Sequence, residues 1–368
     1  MPTAKAVVLY EVHKPLEVVD VEVARPKAGE VLVRVVSAGV CHSDLHVMHG
    51  DLPSNLPVVI GHEGSGVVEE VGEGVASVQK GDHVILVWRA PCGTCFYCMR
   101  GKPILCDNGA KIRFSGRLAD GTSRFSRNGQ EIKHFSGVSS FSEYTVLPVQ
   151  GVVPIRKDVP LQTAALVGCA VMTGVGAVIN TARVEPGSSV LVFGSGGVGL
   201  NVIQGAALAG AEKVIAVDLL DNKLEYARQF GATHTINGGQ TNVVEAVREL
   251  TDGIGADYAF DAIGNVKILE QGLEAIRKAG TLVCVGMPNH QAQFAFTVFP
   301  FIIAEKRILS SIYGSCNPWV DFPRLLNLYV AGKLMLDELV SREYRIGEVN
   351  EAFRALEAGE VARSIVRF

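Results

Sequence analysis

The sequence lacks an excess of positive charge and contains no long uninterrupted apolar run. Its formal net charge is −4, with acidic and basic residues interspersed, so we expect no nucleic-acid partner and no anionic membrane partner. The longest apolar stretches, 167–179 and 294–304, are broken by glycine or proline and are shorter than the roughly 18 residues that span a bilayer. Glu11 interrupts the N-terminal segment before a signal-peptide apolar region could form. These absences predict a cytoplasmic protein.

The chain length and the apolar pattern predict two domains of different architecture. A chain of 368 residues exceeds the size at which one core keeps growing. Up to about residue 87, short β-branched segments alternate with turns, which is typical of antiparallel strands in a barrel-like domain. These predicted strands are residues 6–11, 15–23, 29–39, 58–60, 66–71 and 83–87.

The chain has eight cysteines, but they are not spread along it as a disulfide framework would be. A single loop holds a C-x2-C-x2-C-x7-C pattern. Short local spacings between thiols are typical of structural zinc, which takes four thiolates in a tetrahedron. Free or redox-active cysteines are the alternative. The predicted ligands of this structural zinc are Cys92, Cys95, Cys98 and Cys106.

Cys41 and His62 are candidates for a second metal site. About twenty residues separate them, which is too far for a zinc knuckle. Ligands from distant elements are typical of a catalytic zinc, which keeps one coordination position open for substrate. Glu63 adds a carboxylate beside His62. The alternative is that Cys41 and His62 are ordinary buried side chains.

The middle of the chain carries a dinucleotide-binding pattern. An apolar run at 190–193 predicts a buried parallel strand, followed by G-x-G-x-x-G and a predicted helix over 200–209. A second apolar strand, 214–217, ends at Asp218. Asp218 would accept hydrogen bonds from the adenosine ribose hydroxyls and repel a 2′-phosphate, so we predict NAD rather than NADP. The glycines that let the pyrophosphate approach the helix N-terminus are Gly194, Gly196, Gly197 and Gly199.

The remaining sequence alternates predicted strands and helices, which is typical of a doubly wound parallel sheet. Predicted helices cover 223–230, 242–250 and 266–278, and predicted strands cover 258–261 and 281–285. The apolar stretch 294–304 is either buried core or a subunit interface. An amphipathic helix at 347–358 and a final strand at 364–368 fit neither half of the sheet, so we expect the tail to return to the first domain.

Several motifs, in this order, resemble the zinc-dependent medium-chain alcohol dehydrogenases over nearly the whole chain. They are CHSDLH at 41–46, GHEGSG at 61–66, the four-cysteine loop, FSEY at 141–144, Cys169 and GSGGVG at 194–199. The resemblance implies an α/β fold with a Rossmann doubly wound parallel sheet and a β-rich GroES-like catalytic domain. The catalytic domain would comprise residues 1–170 and 313–368, and the NAD-binding domain residues 171–312. NAD, two zinc ions per subunit and a homo-oligomer, either a dimer or a tetramer, are also implied.

The resemblance assigns the residues around the catalytic zinc. Cys41, His62 and Cys169 would bind the metal, and Glu63 would lie behind it as an occasional replacement ligand. Asp44 would fix the tautomer of His62.

The resemblance also implies a proton relay and a set of cofactor contacts. Ser43 would take the proton of the substrate, and His46 would pass it to solvent. The predicted cofactor contacts outside the glycine residues are His42, Thr173, Val198, Asp218, Lys223, Ile263, Val285 and Arg363.

The implied reaction is the reversible oxidation of a primary alcohol, aliphatic or benzylic, to the aldehyde, with hydride passing from the zinc-bound alkoxide to NAD. Trp88 would crowd branched or secondary alcohols. The residues predicted to line the substrate pocket are Trp88, Phe135, Met287 and Ile312.

Two alternatives to this reaction remain open. Thiol-adduct-dependent formaldehyde dehydrogenases of this family carry an arginine four residues beyond the last cysteine of the loop, where this chain has Ala110. Arg113 would have to stand in for that arginine. The second alternative is a catalytically dead NAD-binding structural protein, which the retention of the metal ligands and relay residues opposes.

Overall fold

The computed structural model describes residues 3–368, which divide into two compact units. The first unit comprises the residues up to Cys169 together with Asn317–Phe368, and the second comprises Ala170–Cys316. The predicted domain boundaries, after 170 and after 312, lie within a few residues of these limits.

Strands and α-helices cover much of residues 3–368. In chain order the strands are β1 Thr3–Leu9, β2 Glu17–Val23, β3 Glu30–Val40, β4 Val58–Val59, β5 Gly64–Val71, β6 His83–Leu86, β7 Phe125–Arg127, β8 Gln130–His134, β9 Tyr144–Pro148, β10 Val152–Pro154, β11 Ser189–Phe193, β12 Lys213–Asp218, β13 His234–Asn237, β14 Ala256–Asp261, β15 Ile276–Cys284, β16 Arg307–Ser310, β17 Val340–Arg345 and β18 Arg363–Arg367. The helices are α1 His42–Met48, α2 Asp107–Ser115, α3 Leu161–Ala164, α4 Ala170–Gly176, α5 Gly197–Leu208, α6 Asp221–Gln229, α7 Val243–Leu250, α8 Val266–Ala275, α9 Val298–Ile303, α10 Pro318–Val330 and α11 Val349–Glu357.

The first unit is mainly β-structure. Strands β1, β2, β7, β8 and β4 form a closed barrel, and a second sheet has the order β10-β6-β5-β3-β18-β17, with β9 also paired to β3. Strand β3 is central to this sheet and nearly all of its residues are buried. Because β18 pairs with β3, the C-terminal tail completes the sheet of the first unit. The amphipathic helix α11 packs its apolar face into the same core, where Phe353 meets Phe141.

The second unit is a parallel sheet of the order β13-β12-β11-β14-β15-β16. All residues of β11 are buried, as its continuous apolar run predicts. The strand order reverses at β11, which lies between β12 and β14, and dinucleotides bind at the carboxyl ends of strands at such a switch point. Helix α4 packs closely on α5, because a Cβ atom at Gly174 would lie 2.5 Å from the Cβ of Asn201.

Several elements differ from the sequence prediction. The helix predicted over 266–278 ends at Ala275, and β15 begins at Ile276, where that residue pairs with Ala256 of β14. Pairing with a neighbouring strand outweighs helix propensity in so short a segment. The elements that the sequence did not predict are β7–β10, β13, β16 and β17, and helices α1, α2, α9 and α10.

The apolar stretch 294–304 is not a continuous piece of core. Helix α9 exposes Phe299 by 73%, Ile302 by 63% and Ile303 by 64%. Phe294 and Phe301 are the members that pack against the core of the second unit. The buried-core alternative is therefore wrong for α9, and a subunit interface at this stretch stays a prediction.

No single helix within residues 3–368 has the length and apolar composition needed to cross a membrane. The bent pair Leu161–Gly168 and Ala170–Ala182 meets both criteria when its two members are counted together. Most side chains of the pair are buried in the protein.

Candidate active site

Cys41, His62 and Cys169 lie together in the first unit. Their ligand atoms are all within 4.8 Å of one another, and all three side chains are buried. The Nε2 atom of His62 lies 3.3 Å from the Sγ atom of Cys169. Sulfur and nitrogen ligands of a tetrahedral zinc are about 3.6 Å apart, given the usual metal–ligand distances. The cluster therefore fits a zinc ion with three protein ligands and one open position.

The local backbone explains how these ligands converge. Cys41 follows β3 directly and caps the N-terminus of α1. His62 follows Gly61, which has a left-handed φ of +92°, a conformation that glycine adopts without strain. A Cβ atom at Gly61 would also lie 2.6 Å from the backbone nitrogen of Phe141. Glycine is therefore required immediately before the histidine ligand.

Asp44 orients the imidazole of His62. It is fully buried on α1, and its Oδ1 accepts hydrogen bonds from the Gly61 N–H and from Nδ1 of His62, both at 3.1 Å. Because an ionised carboxylate only accepts, Nδ1 carries a proton, and Nε2, which faces Cys169, is the nitrogen that can bind a metal. Burial lowers the pKa of His62, but the Asp44 carboxylate and the Cys41 sulfur outweigh burial and raise it to about 10. The same negative charge favours a metal cation at Nε2.

Glu63 is buried behind this cluster in an ion pair with Arg363. Burial raises the pKa of Glu63 to about 7, against the opposing effect of the Arg363 charge. Gly39 of β3 makes room for the carboxylate, since a Cβ atom there would lie 2.4 Å from its Cδ atom. The sequence did not indicate this pairing, because the two residues are 300 positions apart. The predicted contact of Arg363 with the cofactor phosphates stays a prediction.

The four-cysteine loop forms a second ligand cluster, whose sulfur atoms also lie within 4.8 Å of one another. The sulfurs of Cys95 and Cys106 are 3.9 Å apart, close to the roughly 3.8 Å expected across a tetrahedral zinc. Backbone N–H groups donate to the sulfurs, from Cys95 to Cys92 and from Gly109 to Cys106. Burial raises the pKa of Cys92, but hydrogen bonds from Thr94 and other donors lower it to about 5. Burial and the sulfurs of Cys95 and Cys106 raise the pKa of Cys98, so a cation is needed to hold all four as thiolates, and the cluster fits a structural zinc.

Helix α1 also carries the predicted relay residues. Ser43 and His46 are three positions apart and therefore lie on the same side of the helix. The side chain of His46 is 33% exposed, and its Nδ1 lies 3.1 Å from Oδ2 of Asp51. His42, predicted to contact the cofactor, is exposed at the start of the same helix.

Two aromatic side chains pack edge-on against His62. The ring centroids of Trp88 and Phe135 lie 6.4 Å and 5.8 Å from that of the imidazole. Both aromatic residues are buried. They are the predicted pocket residues of the first unit, whereas Met287 and Ile312 belong to the second.

Two arginines lie next to this aromatic wall. The guanidinium carbon of Arg113, on α2, is 4.5 Å from the centroid of the Trp88 ring. Burial lowers the pKa of Arg113 to about 10, helped by the charge of Arg89 and opposed by Cys169. The Nε atom of Arg89 is buried and has no hydrogen-bond partner among residues 3–368. The sequence did not indicate Arg89, because it belongs to no motif and the only signal is its position next to Trp88.

The second unit contains a turn that fits a dinucleotide. Gly194 follows β11 with a left-handed φ of +88°, and a Cβ atom at Gly199 would lie 1.7 Å from the Gly194 carbonyl oxygen. A Cβ atom at Gly196 would meet no atom within 4 Å, so the turn has open space for a pyrophosphate. Asp218 ends β12, and its Oδ2 accepts a hydrogen bond of 2.8 Å from the Ser195 N–H.

Asp261 organises the loops after β14 and β15, a role that the sequence did not reveal. Its Oδ1 accepts hydrogen bonds from the N–H groups of Ile263 at 2.8 Å and Gly264 at 3.0 Å. Its carbonyl oxygen accepts the N–H of Val285 at 3.0 Å. These bonds hold Ile263 and Val285, which are two of the predicted cofactor contacts. The other predicted contacts of this unit are Thr173 on α4, Gly197 and Val198 on α5, and the buried Lys223 on α6.

Comparison with known proteins covers nearly the whole chain. Residues 27–157 match the alcohol dehydrogenase GroES-like domain, and residues 197–331 match the zinc-binding dehydrogenase family. An S-(hydroxymethyl)glutathione dehydrogenase of Paracoccus denitrificans is 42% identical, and a class-3 alcohol dehydrogenase of Cereibacter sphaeroides is 41% identical, each over 99% of both chains. The benzyl alcohol dehydrogenase structure from Acinetobacter calcoaceticus matches with a TM-score of 0.95 at 35% identity, over 100% of both chains.

These matches confirm the predicted family, the α/β fold with its Rossmann and GroES-like parts, and the oxidoreductase activity. The two ligand clusters and the zinc-binding families also confirm the cofactors, which are NAD and two zinc ions. The substrates are small-molecule alcohols or aldehydes. The chain belongs to the zinc-dependent medium-chain alcohol dehydrogenase family.

Proposed function

We propose that the protein uses NAD to oxidise a primary alcohol group carried by an anionic molecule, of which S-(hydroxymethyl)glutathione is the leading example. The observation that carries the proposal is the pair of cationic side chains, Arg113 and Arg89, beside the metal-ligand cluster. In this proposal the first unit is the catalytic domain and the second binds NAD.

Within the catalytic domain, we assign Cys41, His62 and Cys169 to the catalytic zinc and the four-cysteine loop to the structural zinc. Bound zinc lowers the pKa of the alcohol hydroxyl as a Lewis acid, and bound NAD accepts the hydride. Asp44 holds the His62 imidazole in the tautomer that binds metal. The wall formed by Trp88 and Phe135 excludes water from the imidazole.

The proton of the alcohol leaves through α1 in this proposal. Ser43 accepts the proton from the hydroxyl, and His46 releases it to water at the partly exposed end of the helix. Their placement on one side of α1 supports this order.

The electrostatics near Trp88 favour an anionic substrate. Among the described residues, the charged groups that act on the pKa of Arg113 are Arg89 and Cys169, whereas the Asp107 carboxylate acts on Arg89. A half-buried guanidinium group that faces another cation is costly, and the face of Trp88 offsets only part of that cost. A substrate carboxylate would accept charge-assisted hydrogen bonds from Arg113 and reduce its repulsion with Arg89.

The position of Arg113 also addresses the missing arginine. Ala110 stands where thiol-adduct formaldehyde dehydrogenases carry that residue, and Arg113 follows three positions later on α2. Residues three apart lie on the same face of a helix, so Arg113 presents its charge on the face of Ala110. The S-(hydroxymethyl)glutathione dehydrogenase relatives of this chain, at 42% and 40% identity, support the same substrate class.

A second candidate is an uncharged benzylic or aliphatic primary alcohol. The edge-on packing of Trp88 and Phe135 against His62 favours a flat apolar substrate. The 35% identical benzyl alcohol dehydrogenase structure supports this candidate.

Steady-state NAD reduction separates the two candidates. The substrates are formaldehyde with and without glutathione, hexanol and benzyl alcohol, and the variants are Arg113→Gln and Lys111→Gln. Lys111 is exposed on the same helix, so its substitution is a matched loss of one charge. Losing one charge-assisted contact, worth about 1.5–3 kcal/mol, should raise KM for the thiol adduct more than tenfold in R113Q.

The controls sharpen the result. We expect K111Q to behave like the wild type, and we expect R113Q to oxidise benzyl alcohol within about twofold of the wild-type rate. Thiol-independent turnover of benzyl alcohol, with no effect of R113Q on any substrate, would establish the second candidate. No turnover of any substrate by the zinc-loaded protein would refute both.

A further inference from the structure

We infer that Asp51 is a positioning residue for His46, which fixes the tautomer and orientation of the imidazole so that Nε2 receives the proton of the alcohol. The inference rests on the proposed function, in which His46 is the outer end of the proton relay. The Nδ1 atom of His46 lies 3.1 Å from Oδ2 of Asp51, within hydrogen-bond distance.

The fold holds Asp51 beside the imidazole. Helix α1 ends at Met48, and Gly50 adopts a left-handed φ of +74° that turns the chain back. The Leu52 N–H then donates to the His46 carbonyl oxygen at 3.1 Å, and the Leu52 side chain packs against the core of the first unit. Asp51 is therefore placed between two anchored neighbours. This distinguishes the pair from a surface ion pair between two long, freely rotating side chains.

The hydrogen bond determines which ring nitrogen can accept a proton. An ionised carboxylate only accepts, so Nδ1–H of His46 donates to Asp51 and Nε2 keeps its lone pair. A proton that leaves the alcohol hydroxyl and reaches Nε2 makes an imidazolium, whose Nδ1–H stays directed at Asp51. Water then removes that proton, while the hydride with its electron pair passes to NAD. The balance is one aldehyde, one NADH and one proton released per alcohol.

The other carboxylate near this end of α1, Glu357, contacts His49 and not His46. On the same surface, Nε2 of His49 lies 3.7 Å from Oε1 of Glu357 on α11. The ring of His13 stacks on that of His49, with centroids 6.3 Å apart. Glu357 is thus the carboxylate partner of His49, as Asp51 is of His46. The pair formed by Glu357 and His49, the C-cap residue of α1, provides a control with the same types of side chain.

The tautomer can be measured without any turnover. Long-range ¹H–¹⁵N spectra of the zinc-loaded enzyme labelled with ¹⁵N-histidine distinguish Nδ1–H from Nε2–H, and His46→Gln identifies the His46 signals. We expect Nδ1–H in the wild type, a shift toward Nε2–H in Asp51→Ala, restoration of Nδ1–H in Asp51→Glu, and no change at His46 in Glu357→Gln. An unchanged His46 tautomer in Asp51→Ala overturns the inference.

Kinetics provides the second readout. We expect Asp51→Ala to lower kcat/KM at neutral pH about tenfold, the size typical of losing a partner that orients a functional histidine. In the His46→Gln background Asp51→Ala should have no further effect, because both changes remove the same function. Additive losses would contradict the inference. If the wild type turns over no alcohol, the proposed function fails, whereas the tautomer measurement still tests Asp51.

Discussion

The substitution Asp44→Asn isolates the charge that holds the histidine ligand. The asparagine has the same shape, and its Oδ1 still accepts the hydrogen bonds of the Gly61 N–H and of His62 Nδ1. What is lost is the negative charge at a fully buried position beside the imidazole. The affinity of the site formed by Cys41, His62 and Cys169 for zinc should fall, because Nε2 of His62 becomes a weaker electron-pair donor to the metal.

The expected loss follows from the kind of hydrogen bond that changes. A hydrogen bond to a charged group contributes about 1.5–3 kcal/mol, against about 0.5–1.5 kcal/mol for a neutral one. The difference of about 1–2 kcal/mol corresponds to roughly 5- to 30-fold in the dissociation constant of zinc. The four-cysteine site should be unaffected, because Asp44 has no contact with it.

Chelator competition, with zinc counted per subunit, measures this effect. We expect one of the two zinc ions to be lost at a lower chelator concentration in D44N than in the wild type, and the other at an unchanged concentration. Asp82→Asn is the control, since Asp82 accepts a backbone N–H from Gln79 in an exposed turn. Equal affinity of D44N and wild type would refute the assigned role of the charge. Equal weakening of both sites would indicate general unfolding.

Two further outcomes follow from the buried His134 and from the open position of Gly196. Burial and the charge of Arg124 lower the pKa of His134 to about 3, so the unfolded chain binds about one more proton below pH 6.5. As the pH falls from 6 to 4, the free energy of unfolding should decrease by about 1.4 kcal/mol per pH unit. His134→Asn should remove this pH dependence when stability is measured by urea titration at several pH values. The same pH dependence in the variant and the wild type would contradict the prediction. Gly196→Ala should fold normally, since its Cβ meets no atom, yet weaken NADH binding at least tenfold in fluorescence titrations by filling the space for the pyrophosphate. Gly347→Ala, equally open, is its control, and undiminished NADH binding by G196A would place the pyrophosphate elsewhere.

The parts of the molecule that the sequence predicted are those whose determinants lie close together in the chain. The four-cysteine loop places all its ligands within one segment that ends at the N-terminus of α2. The glycine turn is similar, since the steric reason for Gly199 is the carbonyl group of Gly194. Such patterns can be recognised before the fold is known, because the atoms that explain them belong to neighbouring residues.

The elements that escaped prediction lack a local pattern. Strand β16 lies at the edge of its sheet and has no buried residue, and β13, at the other edge, has one. An apolar pattern cannot mark a strand that buries so little. Helix α10 contains Pro323, which sequence rules treat as a helix break, and the fold accommodates it within the helix.

The substrate proposal depends on contacts between side chains from different elements, which neither local motifs nor apolar patterns reveal. Position 110 taken alone argues against a thiol-adduct substrate, because this chain has alanine where the thiol-adduct formaldehyde dehydrogenases carry an arginine. The structure changes that argument, since Arg113 lies on the same face of α2 and against the ring of Trp88. In the proposed function, the charge near the alcohol therefore comes from a different residue of the same helix. The ligand set indicates the class of reaction from the sequence, whereas the alcohol that we propose follows from where the charges of Arg113 and Arg89 lie after folding.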